Sequence, residues 1–98
     1  MFRIAFEDVG SSVLVRIEGR FVSQFAEEAR LLVSRRKAPK ELIVDISDVI
    51  AVDAVGEEVL TWLRLMGATF VANRSCALRI CERLNLPVTA TVDGTRAG

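Results

Sequence analysis

The sequence predicts an α/β domain: a mixed sheet of four to five strands that opens with an antiparallel hairpin and continues in parallel strands, with helices mainly on one face. Three observations predict it. Apolar residues alternate with a period of two over residues 2–6 and 13–17, they recur at helical spacing in three later segments, and short apolar runs rich in β-branched residues separate those segments. Strands alternating with helices imply right-handed crossovers and parallel neighbours. Ninety-eight residues, 51% of them hydrophobic and 27% charged, suit one domain over residues 1–98 built round a single core.

Phe2, Ile4 and Phe6 alternate with Arg3, Ala5 and Glu7, and Val13, Val15 and Ile17 alternate with Leu14, Arg16 and Glu18. Gly10-Ser11-Ser12 joins the two as a hairpin turn. The polar alternate positions predict one partly wet sheet face, so the helices gather on the other. Ser23 is placed to cap a helix with Phe25, Ala29, Leu32 and Val33 on one stripe, Glu27 and Glu28 near its start, and Arg35-Arg36-Lys37 at its end before Pro39. Leu42-Ile43-Val44-Asp45-Ile46 reads as a central strand. A turn over residues 47–56 follows, and Asp53 caps a second helix with Val55, Val59, Trp62, Leu63 and Met66 as its apolar stripe, up to Gly67. Residues 68–72 form the next strand. Ser75 caps a third helix that turns Ala77, Leu78, Cys81 and Leu84 to the sheet and ends before Pro87. Residues 88–92 form a last edge strand or an ordered tail, and residues 93–98 fray.

Composition narrows the function. Thirteen basic and thirteen acidic residues cancel, leaving no bulk field to hold nucleic acid. No apolar run is long enough to span a membrane, which predicts a cytoplasmic protein without membrane insertion. Histidine and tyrosine are absent, which removes the side chain that titrates near neutrality unaided and the commonest metal ligand. Cys76 and Cys81, five apart on a helix, point about 140° from each other, so neither a disulfide nor a redox pair fits. There is no glycine-rich phosphate loop.

Turns at the carboxyl ends of parallel strands collect at one sheet edge, where binding sites usually form. Here those turns carry Asp48, Asp53, Ala54, Val55, Gly56, Glu57 and Glu58 on one side and Arg74 on the other. A glycine in a first helical turn signals close approach of another backbone, or a docking surface. Asp45, Asp48 and Asp53 invite a magnesium site with a phosphorylated ligand, but a turn accounts for Asp48 and a helix cap for Asp53. Glu57 and Glu58 sit where a helix dipole favours acids, which accounts for them without catalysis. Trp62 fills the core or, if turned outward beside Val55 or Val59, anchors a docking patch.

The stretches Leu42-Ile43-Val44-Asp45-Ile46-Ser47-Asp48-Val49 and Val52-Asp53-Ala54-Val55-Gly56-Glu57-Glu58-Val59-Leu60 resemble the signature of STAS domains, the fold of anti-sigma-factor antagonists, stressosome proteins and sulphate-transporter tails. The resemblance runs from Ile17-Glu18-Gly19-Arg20 through Asn73-Arg74-Ser75 to Leu84-Asn85-Leu86, and the chain ends before the last helix of many relatives. It implies a bacterial, non-enzymatic interaction module in signalling and transcription regulation, with no cofactor, no metal and no catalytic residue. Its partner-binding residues are then Asp48, Asp53, Ala54, Val55, Gly56, Glu57, Glu58 and Arg74, facing an anti-sigma factor or switch kinase, or a subunit of a transporter or lipid-transport complex; a homodimer also fits. Antagonists of this family carry Asp-Ser-Ser-Gly in the turn and are phosphorylated on the serine after the aspartate. This sequence has Asp53-Ala54-Val55-Gly56, so the usual site is lost at Ala54. Ser47 and Ser75 are poor replacements, since turn formation and helix capping explain them.

Overall fold

The computed structural model describes residues 1–89. Seven elements follow in the order β1 (Phe2–Val9), β2 (Ser12–Phe21), α1 (Ser23–Ser34), β3 (Glu41–Val52), α2 (Ala54–Leu65), β4 (Thr69–Val71) and α3 (Ser75–Leu84). The four strands form one sheet in the order β1-β2-β3-β4. The first pair is antiparallel, closed by Gly10 at φ 63°, and the next two pairs are parallel. Both crossovers step in the same direction, and right-handed connections then put α1 and α2 on one face.

That face is the core. Val15, Ile17 and Phe21 of β2, Val44, Ile46 and Val49 of β3, and Phe70 of β4 are buried against Ala26 and Ala29 of α1, Val59, Leu60 and Leu63 of α2, and Ala77 and Cys81 of α3. The opposite face is open. Its rows run Arg3, Glu18, Asp48; Ala5, Arg16, Asp45, Val71; and Glu7, Leu14, Ile43, Thr69. Ion pairs Arg3–Glu18 at 3.9 Å and Arg16–Asp45 at 3.5 Å cross it. The predicted wet face and one-sided helices are thus both present.

The structure corrects several local expectations. β3 runs on to Val52, so there is no turn over residues 47–56; only Asp53 separates strand from helix. Two register shifts make this possible: β3 carries an extra residue between Asp45 and Asp48 and another between Val49 and Ala51. Such bulges break the two-residue alternation that a sequence pattern depends on. Neither Ser23 nor Ser75 caps its own helix. Both lie inside the helix, behind Val22 and Arg74, and neither helix has a side-chain cap. α1 stops at Ser34, well before Pro39, and its basic run lies beyond the helix. Arg36 reaches back instead, 4.6 Å over the Phe6 ring and 2.8 Å from the Asp8 carboxylate.

Two helices bury part of the expected stripe, Val59 and Leu63 in α2 and Ala77 and Cys81 in α3, and exchange other members of it. In α2 Leu60 joins the core, fully buried, while Met66 is 53% exposed at the helix end. In α3 Ile80 is buried and Leu78 is 44% exposed. α3 ends at Asn85, in the left-handed conformation, so Pro87 follows the stop instead of imposing it. Val88 makes a parallel bridge to Phe70, flanked by Phe70 N–H to the Pro87 carbonyl and Thr89 N–H to the Phe70 carbonyl, each 2.8 Å. The start of the expected edge strand is therefore present; residues 90–92, and the expected fraying over 93–98, lie outside the described residues.

Candidate functional site

β3 overshoots β4: the last β4 pairing is Val71 with Asp45, and residues 46–52 of β3 continue past it. This overhang carries the chain to the start of α2, beside the entry to α3. Asp53 is the pivot. Its carboxylate accepts the Gly56 N–H at 2.9 Å, capping α2, and also the Ser23 N–H at 3.0 Å and the Ser23 hydroxyl at 2.9 Å. One side chain thus sits at the start of both α1 and α2, where two helix dipoles favour a negative charge. The Gly56 hydrogen bond foremost, with the Ser23 bonds, holds the Asp53 carboxyl below the ordinary carboxylate range despite some desolvation.

Gly56 shows why the first turn needs a glycine. It is buried, and a Cβ there would fall well inside contact with the Phe21 carbonyl oxygen at the end of β2. Of the two sequence explanations, close backbone approach is the one realised; Gly56 lies beneath the surface. Ala54 is exposed on the first turn, Val55 is half-buried, Glu57 pairs with Arg83 of α3, and Glu58 is exposed. Trp62 is half-buried as well. Together with Ala54, Glu57 and Glu58, it lines a shallow groove of about 470 Å³ completed by Thr61, Leu65 and Leu84. Leu65 is 74% exposed at its end. The sequence left the rotation of Trp62 open; the structure makes it one wall of a groove between α2 and α3, and Leu65 and Leu84 join it without a sequence signal, since each reads as an ordinary helix apolar residue.

Asp48 and Arg74 come together away from that groove. Arg74 Nε lies 3.1 Å from Asp48 Oδ1, and Asp48 shares the open-face row of Glu18. The residues expected on one continuous turn therefore divide between two sides of the sheet edge. Asp45 is held by Arg16 and by the Ser47 N–H at 2.9 Å, and Asp53 by Ser23 and Gly56, so each of the three aspartates has its own partner. Among the described residues no three Asp, Glu or Cys side chains gather as a metal cluster. Ser47 is buried and its hydroxyl accepts the Asn73 N–H at 3.3 Å, tying the overhang to the loop before α3. Cys76 is exposed and Cys81 buried, and burial pushes the Cys81 thiol up.

The fold has counterparts of known structure. An anti-sigma factor antagonist from Mycobacterium paratuberculosis superposes with a TM-score of 0.76 over 95% of this chain and 89% of its own, at 21% identity. The chain has the fold of anti-sigma factor antagonists. The antagonist SpoIIAA in its unphosphorylated form follows at 0.73, 14% identity, over 93% of this chain and 90% of its own. A Shewanella loihica protein with a SpoIIAA-like fold matches at 0.55 and 13% identity, over 89% of this chain and 80% of its own. No family profile and no curated protein sequence matches.

Proposed function

We propose that this chain is a non-enzymatic, STAS-like regulatory domain that grips a protein partner through the first turn of α2 and the groove beside it. The supporting observation is the pairing of an immobilised Asp53 with an exposed methyl group at Ala54, next to a half-buried tryptophan. A fixed helix start presents a stable shape, and an aromatic side chain in a partly open groove is the usual anchor of a protein contact. The anti-sigma antagonist fold favours a partner of the anti-sigma-factor or switch-kinase class, in the cytoplasm of a bacterium. With Ala54 in place of a hydroxyl, a phosphate cannot add negative charge at this turn. Partner binding is then constitutive at this position.

The test is capture of partners from the native cell by three baits compared quantitatively by mass spectrometry: the natural chain, Ala54→Glu and Trp62→Ala. The natural chain enriches a switch kinase or anti-sigma factor. Ala54→Glu reduces its affinity about tenfold by adding charge and bulk to the lip, and Trp62→Ala reduces it at least as much by removing the anchor. A partner retained equally by all three baits would place the interface elsewhere.

A further inference from the structure

Among the described residues β1 pairs with β2 on one side only, leaving its outer edge open. The Met1 carbonyl accepts the Arg20 N–H at 2.8 Å, so odd-numbered residues of β1 turn their backbone groups toward β2. Alternation then turns the N–H and C=O of Phe2, Ile4, Phe6 and Asp8 outward. A second copy of this edge can pair with it antiparallel about a two-fold axis only in registers that set even-numbered residues opposite one another. Centring on Ile4 sets Arg3 against Ala5, and centring on Phe6 sets Asp8 against Ile4. Centring on Ala5 sets Arg3 against Glu7 twice and Ile4 against Phe6 twice, charge with opposite charge on the open face and apolar with apolar on the core face.

We propose that two copies of this chain join through the outer edges of β1, centred on Ala5, merging two four-stranded sheets into one of eight. The two charged groups this pairing uses are at most loosely engaged elsewhere among the described residues. Glu7 makes no ion pair among the described residues, and Arg3 is 71% exposed and only loosely held, 3.9 Å from Glu18. Ile4 and Phe6 are half-buried at the rim of the core, and a second copy covers them. Phe2 falls opposite Asp8, whose charge is already taken up by Arg36. Charges that guard an edge strand repel a second copy; in this order they attract one. The non-hydrogen-bonded positions, where cross-strand side chains come closest, fall to the Arg3–Glu7 pairs. The β1 edge shares no residue with the α2 groove, so dimerisation needs no other partner.

Sedimentation equilibrium on the full chain alone tests this. The natural chain shows a concentration-dependent dimer, Arg3→Glu raises its dissociation constant about tenfold by setting like charges opposite at two symmetric sites, and Arg3→Glu with Glu7→Arg restores it. In a Cys76→Ser background, mild oxidation cross-links Ala5→Cys across the axis. Arg3→Cys does not cross-link, because its two copies stand four register positions apart, about 13 Å. A chain that stays monomeric, a dimer indifferent to Arg3→Glu, or one not restored by the double exchange would each overturn the proposal.

Discussion

Asp53 accepts hydrogen bonds from the starts of two helices, Ser23 of α1 and Gly56 of α2, and only its charged form accepts them all. Its carboxyl is held below its ordinary value, so the sign of the pH effect is fixed. The stabilisation is complete above the unfolded-state pKa, about 3.9, and is lost as pH falls through the depressed folded-state value. Urea unfolding from neutral pH down to about pH 3 should therefore show the natural chain losing its advantage over Asp53→Asn as acid is added. An advantage that persists unchanged would mean the clamp does not act through charge. Next to it, Ala54 offers no oxygen to phosphorylate. Intact mass after incubation with a switch kinase and ATP should stay unchanged, and a stoichiometric gain of one phosphate would show that another residue has taken over the switch. Asp53 as a cap was legible from its position before an apolar stripe. Its grip on Ser23 was not, because that partner lies far off in sequence, and Ser23 accordingly serves α2's cap and not its own helix.

α2 depends on close backbone approach at its first turn. In Gly56→Ala the methyl group would meet the Phe21 carbonyl, a backbone atom that cannot swing aside, and the gain in helix propensity of about 1 kcal/mol does not offset the overlap. Thermal or urea unfolding should show a net loss of about 2 kcal/mol or more; a neutral or stabilised variant would mean the two backbones separate easily. The hairpin and the second helix were legible because each has an uninterrupted period and a local end signal, and the parallel strands because short apolar runs separate the helices. The far half of β3 was not, because its two bulges put Ile46 and Ser47 both inside and leave Ile50 exposed. In α3, Leu78 and Ile80 are near-equivalent in hydrophobicity and two residues apart, so composition does not fix the rotation; packing on β3 does.

At the scale of the molecule, the sheet separates two surfaces. The helix side offers the α2 lip and the Trp62 groove; the other side offers crossed ion pairs and the open edge of β1. A shared fold does not transmit function by itself, so the case for partner docking stands on the lip and the groove. That Asp48 and Asp53 fall on different sides could not be foreseen from the sequence, where residues 48–58 form one run; the division follows once the strand is known to continue to Val52. Amide hydrogen exchange on the purified complex with the captured partner tests the docking claim most directly. Protection concentrated over residues 54–65 and the facing turns of α3, with the open-face strands unchanged, is the expected result. Protection confined to the open face, with α2 exchanging as in the free chain, would contradict it.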